Sequence, residues 1–150
     1  MKKYNLVIGS DHGGYNLKKI LLEFLQSLGH TVDDYGTHST ESCDYPDYAF
    51  KVAKSVSDGS HDKGILVCTT GQGVAMAANK VKGIRAACVS DLYSARMCVA
   101  HNDANILTLG GKVVEPDMAK EIVYTWLNAK FEGERHQRRV DQIIEFEESN

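Results

Sequence analysis

The stretch GILVCTTGQGVAMAANK at residues 64–80 decides the fold of this chain. Its short apolar run ends at Cys68 and predicts a buried strand, because turn residues follow it at once. Two glycines in CTTGQG mark a tight turn, and the apolar segment from about Gly73 predicts a helix. A strand, a glycine-rich turn and a helix in this order are typical of a β-α unit in a parallel sheet.

The same alternation extends in both directions from this unit. Further strands are predicted at Asn5–Ser10, Thr31–Asp34, 84–89 and 105–109, and each is followed by apolar residues at helical spacing. Five short strands that alternate with helices predict a mainly parallel sheet covered on both faces. We therefore expect a single domain over residues 1–150, a Rossmann-like three-layer α/β/α sandwich around a five-stranded, mainly parallel sheet.

The last segment, RHQRRVDQIIEFEESN at residues 135–150, predicts one extra C-terminal helix. Val140, Ile143 and Ile144 would lie on one side of this helix, but little sheet is left for it to cover. We therefore expect the C-terminal helix to pack on a second subunit.

Composition and charge exclude several classes of protein. The chain has 150 residues with 43% hydrophobic content and a formal net charge of −3, so it attracts neither nucleic acid nor an anionic membrane as a whole. No apolar run approaches the roughly 20 residues of a membrane helix, and the N-terminus lacks a signal-peptide core. The four cysteines form no CxxC pair, which favours free thiols and a cytoplasmic location.

Ligands of such sheets bind beyond the carboxyl ends of the strands, where the strand order reverses. The segments predicted there are SDHGG, CTTGQG, VSD and LGGK. Three of these four segments are rich in groups that bind anions or move protons, so chemistry on a small anion is expected at this edge.

Cys68 itself allows two interpretations. As a single residue it is more often a small packed side chain, which is the interpretation we give to Cys88 and Cys98. Its position ahead of CTTGQG favours a second one, because turn amides and a helix N-terminus can hold a phosphate or a developing oxyanion and can stabilise a thiolate. A dinucleotide fingerprint is a minority alternative, since a third glycine is missing at Met76, although Asp91 lies at the distance expected for a ribose-binding acid.

The remaining polar segments also leave alternatives open. Asp11 and His12 could orient a base, bind an anion or cap the next helix. His101 lies in a polar loop, AHNDAN, where a histidine can act as an acid or base. Cys98 and His101 have i, i+3 spacing, but no further Cys or His ligand lies at suitable spacing, so no metal is predicted.

Two arginines in GERHQRRV share a helix face. Arg135 and Arg139 are four residues apart and could grip a phosphate through fork-shaped contacts. The alternative is a solvated basic face balanced by Glu132 and Glu134. A short basic patch on an acidic chain fits a small anion better than a nucleic-acid duplex.

Taken in order, these segments resemble the ribose-5-phosphate isomerase type B family, which also contains galactose-6-phosphate and allose-6-phosphate isomerases. The likeness runs nearly end to end, through GSDHGG, DYPDYA, GILVCTTGQGVAMAANK, GIRAA, YSARM, HNDANIL, LGGKVV and GERHQRRV. It implies a sugar-phosphate isomerase that interconverts ribose 5-phosphate and ribulose 5-phosphate in the non-oxidative pentose phosphate pathway, through an enediolate and without a cofactor. A six-carbon sugar phosphate is the alternative substrate, and a nucleotide-binding module is the alternative from another class.

The resemblance also implies roles for individual residues. Cys68 would move the carbon-bound proton with help from Thr70, and His101, supported by Asp11, would open the sugar ring. The phosphate would be held by His12, Arg135 and Arg139, and the sugar by Tyr45 and Asn102. The remaining predicted contacts are those of Thr69, Gly71, Gln72, Gly73, Val74 and Lys112, among which the turn amides would stabilise the enediolate.

Three positions depart from the family pattern. Val74 stands where some members carry a glutamate base, which leaves Cys68 as the candidate. Thr69 stands where glycine is common, and Lys112 where arginine is frequent. The family builds each active site from two subunits, so the resemblance implies a homodimer or homotetramer with shared sites.

Overall fold

The computed structural model describes residues 1–150. Its strands are β1 (Asn5–Ser10), β2 (Thr31–Asp34), β3 (Lys63–Cys68), β4 (Ala86–Cys88) and β5 (Ile106–Gly110). Its helices are α1 (Tyr15–Ser27), α2 (Tyr45–Ser57), α3 (Gln72–Ala78), α4 (Leu92–Ala100), α5 (Pro116–Asn128) and α6 (Arg135–Glu148), and a 3-10 turn covers His12–Gly14. No helix combines the length and the apolar character that crossing a membrane requires.

The five strands form one sheet in the order β2-β1-β3-β5-β4, and every neighbouring pair is parallel. The predicted sandwich is confirmed, and the sheet is entirely rather than mainly parallel. Strand order reverses between β1 and β3. Ser10 pairs with Val67 and Cys68 with Gly110, so the carboxyl ends of β1, β3 and β5 meet at one edge.

The side chains of the central strands alternate between two hydrophobic layers, as the two-residue period of a strand requires. Ile65 and Val67 pack in the layer that contains Trp126 and is covered by α1, α4 and α5. Leu66 and Cys68 pack in the opposite layer, beneath α2 and α3. Cys68 therefore belongs to the packed core at the same time as it ends a strand.

Glycines let the first β-α connection lie directly on the central strand. A Cβ atom at Gly14 would collide with the backbone carbonyl of Val67, and one at Gly13 would collide with the hydroxyl of Thr69. This close approach requires glycine. It brings Asp11 and the 3-10 turn against the end of β3.

β4 is shorter than the strand predicted at 84–89. The Arg85 N–H donates to Asn105 Oδ1 and the Ala86 N–H donates to Asn79 Oδ1, both at 2.8 Å. Asparagine side chains thus satisfy the backbone N–H groups at the start of β4, so these groups need no hydrogen bonds from another strand.

The predicted C-terminal helix is confirmed as α6, and little of it is covered within the chain. Only His136 and Val140 are buried, whereas Ile143 is 53% exposed and Phe146 is 72% exposed. At its far end, the Glu147 carboxylate accepts the Gly83 N–H at 2.9 Å. The end of the apolar face that carries Ile143 and Phe146 thus has no partner in its own chain.

Candidate active site

Cys68 ends β3 with its sulfur against the following turn. The side chain is 5% exposed, and Sγ accepts the Gly71 N–H at 3.1 Å. A hydrogen bond donated to sulfur stabilises negative charge there. Gly71 has φ +81°, and a Cβ there would lie 2.8 Å from the Leu109 carbonyl carbon, so this position requires glycine. Thr108 Oγ1 donates to the Gly71 carbonyl at 2.7 Å and fixes the turn.

The rest of the turn presents polar hydrogens beside the sulfur. Thr70 is exposed, and its Oγ1 accepts the Gln72 N–H at 3.3 Å. Gly73 and Val74 lie in the first turn of α3, where backbone amides have no carbonyl partner within the helix. The ring of Tyr45 lies on Gly73, since a Cβ there would be 2.7 Å from its Cε1. A thiol and a set of amides under an aromatic ring can hold an oxyanion and move a proton.

Asp11 and His12 lie next to this turn. Asp11 is 6% exposed, its backbone N–H donates to the Val67 carbonyl at 3.3 Å, and its Oδ1 accepts the Gly14 N–H at 3.1 Å. His12 is exposed, and its Nδ1 accepts the Cys43 N–H at 3.2 Å. An accepting Nδ1 leaves the proton of the neutral ring on Nε2. His12 is therefore a hydrogen-bond donor toward any anion at this edge.

Lys112 and Thr69 complete the group at the carboxyl edge. The Lys112 N–H donates to the Thr69 carbonyl at 3.1 Å, and the Gly111 N–H donates to the Cys68 carbonyl at 2.8 Å. Lys112 is exposed, and its ammonium makes no ion pair in the chain. We call the group Asp11, His12, Tyr45, residues 68–74 and Lys112 the Cys68 cluster.

His101 belongs to a different group of residues. It caps the end of α4, and its ring stacks on that of His136 with centroids 4.1 Å apart and planes 8° apart. Glu132 Oε1 lies 3.9 Å from His101 Nε2 and 3.6 Å from His136 Nε2. Burial lowers the pKa of His136, and the positive charges of His101 and Arg135 lower it further. We call His101, Glu132 and His136 the His101 cluster.

The other predicted contact residues lie near the His101 cluster. Asn102 follows His101 in an exposed loop that Arg85 braces, with Nε donating to the Asn102 carbonyl at 3.0 Å. Arg135 and Arg139 lie in the first two turns of α6 and are exposed. Neither arginine forms an ion pair within the chain. Their guanidinium groups are free to bind an anion.

The two clusters lie at opposite ends of the strands, the Cys68 cluster at the carboxyl ends and the His101 cluster at the amino ends. β5 runs from the His101 side to the Cys68 side, and its four residue steps of about 3.3 Å separate the edges by roughly 13 Å. Within one chain, Asp11 therefore does not support His101, and His12 lies far from Arg135 and Arg139. Of the two clusters, only the Cys68 cluster lies at the carboxyl ends of the strands, where the sequence predicted the ligand site.

Two interpretations from the sequence change at the level of single residues, those of Cys88 and Asp91, and that of Cys98 is unchanged. Cys88, interpreted as packed, is exposed because it ends the three-residue edge strand β4. Cys98 is packed as predicted, and burial raises its pKa to about 11. Asp91 caps α4 by accepting the Ser94 N–H at 2.7 Å, which accounts for this acid without a ribose. Glu132 and His136 were not predicted to join His101, because residues that meet through the fold leave no local spacing signal.

Comparison with known proteins places the whole chain in one group. A family model described as Ribose/Galactose Isomerase matches residues 6–143. Ribose-5-phosphate isomerase B of Escherichia coli is 47% identical over 99% of this chain and 98% of its own. The structure of the Clostridium thermocellum ribose-5-phosphate isomerase B superposes with a TM-score of 0.96 at 54% identity, covering 97% of this chain and 98% of that one. The Mycoplasma genitalium ribose-5-phosphate isomerase B, solved with bound ribulose-5-phosphate, gives 0.94 at 46% identity over 97% of both chains.

Proposed function

The chain belongs to the ribose/galactose isomerase family, and from that premise we propose that it interconverts ribose 5-phosphate and ribulose 5-phosphate with Cys68 as the base. The observation that carries this proposal is the Gly71 N–H on Cys68 Sγ at 3.1 Å, beside a turn of outward amides. The relative with bound ribulose-5-phosphate supports the choice of a five-carbon substrate.

The reaction moves hydrogen within the substrate. The Cys68 thiolate removes the proton on C2 of the open-chain aldose, and the electron pair moves onto the C1 oxygen as an enediolate forms. The same thiol returns a proton to C1, while the O2 proton passes to O1 with help from the Thr70 hydroxyl. Oxidation at C2 balances reduction at C1, so no redox cofactor takes part. The amides of Gly71 to Val74 stabilise the anionic oxygens as they develop.

We further infer that a second copy of the chain completes each site. His101, Asn102, Arg135 and Arg139 lie across the sheet from the thiol of their own chain, whereas ring opening and phosphate binding must occur next to it. A partner that presents its His101 edge to the Cys68 edge brings all of these groups to one sugar phosphate. The exposed Ile143 and Phe146 of α6 support such an association as a homodimer or homotetramer.

The cysteines support the proposed cellular setting. All four are free thiols, and a thiolate base must stay reduced to work. We propose that the enzyme acts in the cytoplasm, in the non-oxidative pentose phosphate pathway.

A direct assay tests the proposal. Purified protein is given ribose 5-phosphate, allose 6-phosphate and galactose 6-phosphate in parallel, and ketose formation is followed for each. We expect the highest kcat/KM for ribose 5-phosphate. A higher value for either hexose phosphate would transfer the assignment to a six-carbon substrate, and no turnover of any of the three would refute the isomerase proposal.

A further inference from the structure

His136 is buried and yet leaves a polar atom without a partner. It is 5% exposed, and its Nε2 has no hydrogen-bond partner in the chain. Such a group costs free energy that an ordinary apolar side chain would avoid. Glu132 Oε1 lies 3.6 Å from this Nε2, beyond hydrogen-bond distance, while the flat face of the ring lies against the ring of His101. Because the His136 ring stacks on His101, we look for the benefit that offsets this free-energy cost in the effect of the ring on His101.

We propose that His136 is a positioning residue for His101, the platform on which the His101 imidazole lies while it opens the sugar ring. The inference rests on the proposed function, because ring opening is the step assigned to His101. The inference adds His136 to the ring-opening step, in which it would act by stacking on His101.

The location of His101 explains why a platform is needed. His101 is at the C-terminal end of α4, its side chain is 37% exposed, and a loop follows it. An imidazole there could occupy several rotamers, and proton transfer requires one of them. Parallel rings 4.1 Å apart restrict the imidazole to one plane. The platform itself cannot turn easily, because it is buried.

The chain between α5 and α6 holds the platform in register with His101. The Glu132 N–H donates to the Ala100 carbonyl at 3.0 Å, which fixes this segment to the last turn of α4. The Glu132 carboxylate lies on the Nε2 side of both rings and carries a negative charge beside them. Burial, followed by neighbouring positive charges, lowers the pKa of His136, which favours a neutral platform that adds no positive charge beside His101.

A metal site is the alternative use of these three residues. Two imidazoles and a carboxylate form a zinc-type donor set, and their ligand atoms lie within 4.8 Å of one another. However, the lone pair of an imidazole nitrogen lies in the plane of its ring. With planes only 8° apart, the two lone pairs run side by side and cannot converge on one ion unless the stack is broken. The geometry therefore favours positioning.

The difference between the two substrates of the reaction provides the test. Ribose 5-phosphate exists mainly as a closed furanose, whereas ribulose 5-phosphate cannot close a five-membered ring, because its O5 is esterified. Isomerisation of ribose 5-phosphate requires ring opening, but exchange of the C1 hydrogen of ribulose 5-phosphate with D₂O does not. Erythrose 4-phosphate, whose O4 is esterified, provides a second aldose that needs no ring opening.

Two variants test whether His136 acts through its flat ring or only by filling space in the core. His136→Leu fills the position without a planar face, and His136→Phe keeps the planar face without the nitrogens. Gln137→Ala, one residue further on the exposed side of α6, is the matched control. Circular dichroism, thermal unfolding and the oligomeric state are compared first, so that only folded proteins of the native assembly are assayed.

We expect His136→Leu to lower kcat for ribose 5-phosphate by at least about tenfold, a size typical of lost orientation. Exchange at C1 of ribulose 5-phosphate and turnover of erythrose 4-phosphate should stay within about twofold of wild type, since Cys68 is untouched. His136→Phe should retain most of the ribose 5-phosphate activity, and Gln137→Ala all of it.

Three results would overturn the inference. Equal losses in all reactions of His136→Leu would assign His136 to binding or general stability. Normal ribose 5-phosphate turnover by that variant would remove the platform role. A loss in His136→Phe as large as in His136→Leu would show that the imidazole nitrogens themselves act. A wild-type protein that catalyses none of the reactions would instead refute the proposed function.

Discussion

At the scale of single residues, Cys68 and Cys98 show how similar thiols acquire different chemistry. Both are buried free cysteines. Burial raises the pKa of Cys98 to about 11, so it remains a neutral thiol at physiological pH. Cys68 instead receives the backbone N–H of Gly71, three residues ahead, on its sulfur at 3.1 Å, and this is the atom to which we assign the base.

This contrast gives a first prediction, for Cys68→Ala. We expect kcat for ribose 5-phosphate to fall at least about 100-fold, because a positioned base contributes that much or more. The matched change Cys98→Ala should leave kcat near wild type and cost stability by about 1 kcal/mol, as a small core truncation does. The measurements are steady-state kinetics and urea unfolding, and near-normal turnover by Cys68→Ala would contradict the assignment of the base.

The sequence could predict the centre of the Cys68 cluster, residues 68–74, because the backbone donors around the sulfur are local. Gly71 is three residues from the sulfur, and a strand followed by a glycine-rich turn specifies this geometry without tertiary information. His101 is different, since Glu132 and His136 reach it only through the packing of two helices. No spacing rule connects residues whose separation along the chain depends on an intervening helix.

At the scale of secondary-structure elements, α1 and the loop after β2 are joined by a buried charge. Lys18 of α1 is fully buried, and its Nζ donates to Asp34 Oδ1 at 2.7 Å and also to the Thr37 carbonyl. The same loop leads to Cys43, whose N–H donates to His12. The ion pair therefore holds the segment that orients His12, the residue predicted to bind the substrate phosphate.

Lys18→Met should thus destabilise the protein by about 3 kcal/mol, since an acid and a carbonyl lose their partner together. Lys19→Met is the matched control, because its neighbouring ammonium is exposed, and it should change stability by less than about 0.5 kcal/mol. Urea unfolding measures both variants. A raised KM for ribose 5-phosphate in Lys18→Met alone would show that the loop transmits the loss to His12, whereas equal stability of the two variants would contradict the prediction.

β1 and β2 meet at a histidine that must remain neutral. His30 is buried, its Nδ1 accepts the Tyr4 N–H at 3.0 Å, and burial followed by the charge of Lys3 lowers its pKa. The unfolded chain then binds a proton more readily than the folded one as the pH falls below about 6.5. Stability contributed by neutral His30 is complete above that pH and is lost as the pH falls toward the folded pKa.

Thermal unfolding between pH 8 and pH 5 checks this direction. We expect Tm to decrease on acidification, and to decrease less in His30→Asn, whose Oδ1 takes the place of the imidazole Nδ1 and can still accept the Tyr4 N–H. The dependence of Tm on pH should not vanish in the variant, because His136 also has a lowered pKa and is present in both proteins. An identical slope in wild type and variant would contradict the role of His30.

The elements themselves were largely predictable from the sequence. β1 begins and ends where its apolar run predicted, because a strand buried on both faces must be apolar throughout. β2 also has the predicted bounds, although it is a half-exposed edge strand that contains two aspartates. β4 was predicted too long, because the asparagines that satisfy Arg85 and Ala86 lie outside the strand. The placement of α6 was predicted only in part, since a helix that covers no sheet receives no packing signal from its own chain.

At the scale of the whole molecule, the proposed completion of each site by a partner subunit can be checked by complementation. Neither Cys68→Ala nor His101→Ala should be active alone. After the two variants are unfolded together and refolded, about half of the dimers should be mixed, and each mixed dimer should hold one intact site of two. About one quarter of wild-type activity should return.

The control pair places both lesions at the same edge. Asp11→Asn mixed with Cys68→Ala should restore nothing, because every site formed by these chains carries one of the two lesions. Ribose 5-phosphate turnover measures both mixtures, and size-exclusion chromatography confirms the assembly. Equal activity of the two mixtures would contradict a site completed by the partner.

In the proposed dimer, β5, which spans the sheet from the amino ends to the carboxyl ends of its strands, would serve two reactions at once. Its carboxyl end leads to Gly111 and Lys112 beside the thiol of its own chain, while its amino end follows the loop whose His101 would reach the thiol of the proposed partner. Sliding this strand by a fraction of an ångström would misalign two catalytic centres that hold different substrate molecules. In a cell that makes equal amounts of a normal and an altered chain, such a lesion would remove about three quarters of the activity, because both sites of every mixed dimer would contain part of the displaced strand.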